Sequence, residues 1–326
     1  LLYRFMMLTF LKKSWLGVIC HSLVNAYAVV KADIETKNKN KKRYYLDLFI
    51  IRFIFGLTFF RKLSNEKKID KNIENYISEN NENLIDGLKS LKKYGFIDEC
   101  TLLNKNYVIL KNELITNINN SVIRYRKDKQ LENQKIKFKN LDEAVSYVKE
   151  NDIYIMKSSV NFNESPNLKK IIMNDYFINL AKAYFNNEKI SINSTLFISN
   201  NHENNDHDLL SGAAQKYHFD IDYKKFFKVI FYLTDVKDVN DGAHIFIPRS
   251  HRHKLKKHLI SKRYEDEVIE SEYDNKKIFL GKSGTYFYVD TFGFHKGSPV
   301  KNDFRIAGFI EFGSGHFRLT EDTVFI

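Results

Sequence analysis

Residues 216–222 read KYHFDID. In an extended chain successive side chains point to opposite faces, so His218, Asp220 and Asp222 would project together while Tyr217, Phe219 and Ile221 point away. Groups of this kind side by side must be solvated, paired or bound to a metal. His218 and Asp220 stand two residues apart and suit adjacent positions on a single ion. Asp222 shares the face but lies farther from His218; it is the rival ligand, and is expected to be a solvated or hydrogen-bonded acid at the strand end. His295 follows GTYFYVDTFGF, a strand-like run that could return to the far side of the same cavity. Two histidines and one carboxylate on one face of an octahedral ion leave the opposite positions open, the facial set of non-haem Fe(II) oxygenases. Open positions are what O2 and a keto-acid co-substrate would need.

Arg305 sits in FRIAGFIEF, an otherwise apolar strand-like run. A keto acid that chelates a metal through one end carries its other carboxylate deep into a barrel, where an unpaired charge is very costly. A guanidinium is a permanently charged, two-pronged partner for such a group. The remaining histidines invite weaker readings. Nine of the ten follow residue 200, so imidazole is concentrated in the region of the candidate ligands. His251, His253 and His258 lie in SHRHKLKKHLISKR, whose Lys and Arg would repel a cation; an exposed basic loop facing an anionic substrate is expected there. His202 and His207 belong to a polar loop, read as solvated or as a lid, and nothing is assigned to His244 or His316. Cys20 and Cys100 form no CxxC pair and no disulfide framework, which fits a reducing compartment; both are expected as buried apolar fillers.

These residues need elements to hold them. Residues 165–186, SPNLKKIIMNDYFINLAKAYFN, place a Ser at the N-cap position, Pro at the first helical position and apolar residues at helical spacing, so one helix is expected. LIDGLKSLKKYG reads as a helix stopping at Gly95, and NYVILKNEL as a short strand. From 189 onward KISINSTLFIS, FFKVIFYLTDV, HIFIPRS, GTYFYVDT and RIAGFIEF are short, β-branched or aromatic, with turns such as Asn240-Asp241-Gly242 between them. Several strands without long intervening helices argue for a sandwich, jelly roll or barrel.

With these blocks in view the chain resembles the phytanoyl-CoA dioxygenase (PhyH)-like branch of the Fe(II)/2-oxoglutarate-dependent dioxygenases. The resemblance rests on QKYHFD, on DGAHIFIPRSHR, where Gly242, Pro248, Ser250 and His251 fill the family's glycine-strand-Pro-Ser-His block, and on GTYFYVDTFGFHKGSPVKNDFRIAGFIEF, where His295 is followed ten residues on by Arg305. It spans residues 84–312. It implies a mainly β double-stranded β-helix (jelly-roll, cupin-like) core with helical support. It further implies Fe(II) held by His218, Asp220 and His295, and 2-oxoglutarate paired with Arg305, with Ser298 as the nearest hydroxyl. The implied reaction is O2-dependent hydroxylation of a C–H bond in a small-molecule or lipid-like substrate, with release of succinate and CO2. An aspartate at 220 implies hydroxylation rather than halogenation, which needs that ligand position vacant. Two features depart from the family pattern: Phe219 replaces a commonly polar residue, and Ser298 is displaced by Lys296-Gly297.

Composition bounds the rest. A chain of 326 residues, 43% hydrophobic, can bury one large core or two modest ones. The net charge of +12 is concentrated: residues 1–80 hold 15 Lys+Arg against 7 Asp+Glu. No nucleic-acid motif accompanies it, and Lys, Asn and Ile are all heavily used, so nucleic-acid binding is discounted. The apolar runs 14–30 and 44–60 have basic flanks but carry His21, Ser22, Asn25, Asp47 and Arg52, and neither is a clean spanning segment. They are expected as core helices, with peripheral membrane contact through residues 1–62 as the rival. The expected organisation is a basic, apolar helical extension over 1–80 and a dioxygenase domain over 81–326, in a cytoplasmic protein. Two other classes share parts of the pattern. A non-catalytic cupin-like binding module would have the triad but no use for Arg305, and a membrane-surface protein would act through its N-terminal segment.

Overall fold

The computed structural model describes residues 15–36, 49–50, 52–53, 82–101, 107–111, 113, 120–126, 138, 141–160, 165–186, 189–201, 210, 213–260, 262–314 and 324–326. In chain order the helices are α1 (Trp15–Thr36), α2 (Glu82–Tyr94), α3 (Leu141–Glu150), α4 (Pro166–Ile172), α5 (Asp175–Phe185) and α6 (Asp266–Glu270). The strands are β1 (Phe96–Thr101), β2 (Asn120–Arg126), β3 (Ile153–Ser159), β4 (Ile190–Asn200), β5 (Phe226–Tyr232), β6 (His244–Phe246), β7 (Lys277–Phe279), β8 (Thr285–Val289), β9 (His295–Gly297), β10 (Phe304–Ser314) and β11 (Val324–Phe325).

The larger sheet runs β1-β8-β5-β10-β4-β3-β2, with β11 also on β4, and the smaller runs β7-β6-β9. Isolated bridges extend the smaller sheet, pairing His218 with His295 and Tyr217 with Tyr264. Successive segments therefore step between sheets: β4, β5, β8 and β10 in one, residues 217–218, β6, β7 and β9 in the other. That alternation is a double-stranded β-helix, or jelly roll, with helices on the outer face of the larger sheet.

Strand periodicity decides what faces the interior. On β5, Phe227, Val229 and Phe231 pack outward with Leu88 and Leu91 of α2 and Phe177 and Leu180 of α5. The alternate residues Ile230 and Tyr232 turn inward with Phe287 of the adjacent β8 to join Phe246 and Phe279 from the smaller sheet. On β10, Ile306, Ile310 and Phe312 face the helices while Ala307 faces in. Lys228, Arg305 and Glu311 share the inward parity, so three charged residues of apolar strands point between the sheets. Each fully buried aromatic or aliphatic side chain here contributes about 2 kcal/mol of burial, which fixes the register against a one-residue slip.

Several local expectations are corrected. Residues 165–186 form two helices, because Met173 ends α4 and the Asn174 side chain accepts from the Tyr176 amide to cap α5. Residues 107–111 are helical rather than extended; Tyr107 and Leu110, three apart, are both buried. Strands β1, β2 and β3 precede residue 189 and widen the sheet. KYHFDID is no continuous strand: only Tyr217 and His218 bridge to neighbours. Cys20 is exposed and Cys100 half-buried, so neither is a core filler. The first apolar run forms α1, which is buried on one side only. Val18 packs with Leu259 and Ile260, and Val30 against the Tyr217–Phe219–Ile221 cluster, while Ile19, Leu23, Val24 and Tyr27 are exposed. No helix of the described residues is long and apolar enough to cross a membrane. Of the second run, 49–50 and 52–53 are helical; its other residues, like His202, His207 and His316, lie outside the described ones.

Candidate functional site

His218 and His295 are brought together by backbone, before any side chain acts. The His218 amide donates to the His295 carbonyl at 3.0 Å and the His295 amide returns the bond at 2.9 Å, so the two stand directly opposite as an antiparallel pair. Their ring centroids are 4.2 Å apart. The Asp220 amide donates to the Thr291 carbonyl at 2.8 Å, which turns the chain so that its carboxylate reaches the same spot. Phe219, pointing the other way, packs edge-on to Phe292 and Phe294 and anchors the segment in the core. An apolar residue at this position therefore has a packing reason.

Each imidazole has its Nδ1 facing a carbonyl, His218 to Lys216 at 2.9 Å and His295 to Gly293 at 3.0 Å. A carbonyl can only accept, so Nδ1 carries the proton and Nε2 keeps a lone pair. His218 Nε2 lies 3.9 Å from Asp220 Oδ1, and His295 Nε2 lies 3.5 Å from Asp220 Oδ2. Among the described residues, His218, Asp220 and His295 are the group whose ligand atoms, all within 4.8 Å of one another, could hold a metal ion. Burial, the His295 ring and Arg263 push His218 well below the usual imidazole value. Burial lowers His295 as well, against the pull of Asp220. For Asp220 burial would raise the carboxyl, but Lys228 and both imidazoles override it and hold it well below the usual range. Two neutral imidazoles and one carboxylate are the protonation states in which all three can ligate, and they suit a divalent first-row metal.

One side of this group is saturated with charge pairs. Lys228 Nζ lies 2.8 Å from Asp220 Oδ2, 3.3 Å from Asp222 Oδ2 and 3.1 Å from Glu311 Oε2. Asp222 is buried rather than solvated, and Arg52 reaches its other oxygen at 3.5 Å. It is an ion-pair and hydrogen-bond partner and is not one of the metal-spaced group.

The other side is different. Arg305 is 7% exposed; its Nη1 donates to the Gly242 carbonyl and its Nη2 to Ser199 Oγ at 3.2 Å. Gly242 takes φ +83°, which a residue with a Cβ adopts poorly, and a Cβ there would lie 3.3 Å from Arg305 Cδ. The turn glycine thus seats the arginine. Arg305 Nε, Ser298 Oγ and His244 Nε2 are all buried without a hydrogen-bond partner. Burial lowers the guanidinium somewhat, but from a starting value so high that it stays a cation.

No model of a known protein family matches this chain, and no curated protein sequence does. Solved structures similar to it include the non-heme alpha ketoglutarate dependent epimerase SnoN from nogalamycin biosynthesis, with TM-score 0.47 and 11% identity over 71% of this chain and 83% of that one. HygX from Streptomyces hygroscopicus, with nickel and 2-oxoglutarate bound, has TM-score 0.43 and 12% identity over 70% and 86%. EctD from S. alaskensis, with bound Fe, has TM-score 0.44 and 13% identity over 70% and 75%. At such identities and TM-scores the likeness assigns no property of those proteins to this chain.

The basic segment after Ser250 is only partly the exposed loop expected. His251 is buried, its Nε2 3.0 Å from the Lys92 carbonyl. His258 is buried among Tyr264, Tyr273 and Phe294, and of the three only His253 is exposed. Lys254 caps the Ser250 and Phe292 carbonyls at 2.8 and 2.6 Å. His251, Lys254 and His258 make this part of the segment a structural brace, while His253, Lys257 and Lys262 stay exposed. Lys228, Glu311 and His244 have no role in the sequence pattern, although a lone charge in an apolar strand, the signal that marked Arg305, was also present in FFKVIFY and FIEF.

Proposed function

We propose that this chain is an Fe(II)- and 2-oxoglutarate-dependent oxygenase, similar to the phytanoyl-CoA dioxygenase branch, that hydroxylates a C–H bond of a small molecule. The observation that carries the reading is the convergence of two Nε2 lone pairs and one carboxylate beside a buried arginine with an unpaired N–H. His218, Asp220 and His295 would hold the metal; Arg305 and Ser298 would bind the far carboxylate of the 2-oxo acid. When bound, the iron supplies activation of O2 at its open positions. The balanced reaction is R–H + O2 + 2-oxoglutarate → R–OH + succinate + CO2, with one oxygen atom entering succinate and the other the product.

The protein's own contribution is positional. The Nδ1–H bonds to Lys216 and Gly293 carbonyls orient both rings and make each Nε2 a better donor. Lys228 holds one oxygen of Asp220. The apolar wall of Phe246, Phe279 and Phe287 keeps water from the interior.

The test is an anaerobic absorbance titration with Fe(II) and then 2-oxoglutarate, on wild type, His218→Ala and Arg305→Ala. A weak visible charge-transfer band in wild type is expected, absent in His218→Ala and requiring at least about tenfold more co-substrate in Arg305→Ala. Iron bound without any band, and no succinate formed in air, would leave a metal-binding module instead.

A further inference from the structure

We propose that His244 binds the 2-oxoglutarate carboxylate, donating a hydrogen bond from Nε2 to it between the metal ligands and Arg305. This rests on the oxygenase reading above and adds a residue to its co-substrate chamber.

The placement follows from the ladder. β6 pairs with β9 so that His244 stands opposite Gly297 and Phe246 opposite His295. Residues two apart on a strand share a face, so His244, Phe246, His295 and Gly297 all look inward. The His244 ring lies 5.5 Å from that of His295, nearly parallel to it. Arg305 is close to both neighbouring glycines: a Cβ on Gly297, which stands opposite His244, would sit 3.6 Å from Arg305 Nη1, and one on Gly242, two residues before His244, would sit 3.5 Å from Arg305 Nε. The bare α-carbons of Gly242 and Gly297 thus leave the guanidinium beside the imidazole. A dicarboxylate reaching from the metal to Arg305 would pass His244.

The chemistry of the residue fits that place. His244 is 4% exposed, and its Nε2 is buried without a partner, an unfavourable state unless a ligand fills it. Its ring lies beside the stacked pair of Phe279 and Phe287, at 5.9 and 5.7 Å, which offers no polar atom. A neutral N–H donor can orient a carboxylate without placing another positive charge next to the metal ion, which a lysine or arginine here would do. Ser298 Oγ and Arg305 Nε, also unpaired, complete a donor set for an anion.

The experiment uses the full chain as wild type, His244→Phe and His244→Gln, each checked for folding by circular dichroism. Mn(II) affinity is measured by calorimetry, and then 2-oxoglutarate affinity of the Mn(II)-loaded protein. His244→Phe, which keeps a flat ring beside the stacked Phe279–Phe287 pair, is expected to keep metal affinity and lose about 10–100-fold in 2-oxoglutarate affinity; His244→Gln, with an amide N–H, is expected to recover most of it. Wild-type 2-oxoglutarate affinity in His244→Phe would overturn the assignment and leave a packing residue. Loss of metal affinity in both variants would also overturn it, making His244 a support for His295. Wild type that binds Mn(II) but no 2-oxoglutarate would overturn both this inference and the oxygenase reading, so the two failures are distinguishable.

Discussion

The two sides of the His218–Asp220–His295 group differ in how completely their polar atoms are satisfied. Toward β5 and β10, Lys228 contacts Asp220, Asp222 and Glu311, and Arg52 contacts Asp222. Around β6, the end of β9 and the first residues of β10, His244 Nε2, Ser298 Oγ and Arg305 Nε have no partner. A folded chain tolerates buried unpaired groups where something else supplies the partner, because each costs a desolvation penalty that hydrogen bonding within the protein would have relieved. The saturated side reads as scaffold, and the unsaturated side as the chamber for a ligand.

Substitution of Lys228 should separate the sides most sharply. Lys228→Met leaves three carboxylates without their shared cation, and loss of one partner of a buried pair costs about 3–5 kcal/mol. A fall in unfolding free energy of that order is expected in denaturant titration of the metal-free protein, whereas His244→Phe should leave it unchanged or raise it. Equal losses from the two would erase the distinction between scaffold and chamber.

Acidification is the next largest effect. His218, His244 and His295 are all held below the ordinary imidazole value, chiefly by burial, so at mildly acid pH the unfolded chain binds protons that the folded chain refuses. Stability contributed by the neutral rings is complete above about pH 6.5 and is lost as pH falls below it. The melting temperature of metal-free protein should drop by about 5 °C between pH 7.5 and 5.5. In a His244→Phe protein that drop should be smaller; an unchanged drop would remove His244 from the set of buried neutral imidazoles.

The smallest effect belongs to the N-terminal contact. The Arg52–Asp222 pair at 3.5 Å is long, and Asp222 keeps Lys228 without it. Arg52→Ala should cost less than Lys228→Met, because Asp222 keeps its cation, and leave metal affinity intact. A larger loss in chemical denaturation would make residues around Arg52 part of the scaffold rather than an attachment to it.

How much of this was legible in the sequence varied with the kind of signal. The β character after residue 189 and the helix stopping at Gly95 follow from periodicity and turn chemistry. The break between α4 and α5 did not, because apolar spacing runs through Met173-Asn174 while the cap that divides them is a single Asn side chain. His251 and His258 were misread because a run of Lys and Arg is ordinarily solvated, yet here the imidazoles go under aromatic neighbours that are distant in sequence. Arg305 stood out as a lone charge in an apolar strand; Lys228 and Glu311 carried the same mark, but the ion pairs they form depend on strand pairing that no local window contains.

What the sequence determined by itself was the chemistry available: two histidines and an aspartate at spacings that permit one metal site, and an arginine in a strand with nowhere apolar to hide its charge. Tertiary structure decided the assignments. Antiparallel pairing set His218 against His295, although 76 residues separate them, and inward parity brought Lys228 to Asp220 and Asp222. The β6–β9 ladder put His244 beside Arg305. Residue type fixes what a group can bind, but which groups share a cavity depends on long-range register, and register is set by the burial of whole strand faces rather than by any neighbour in the chain.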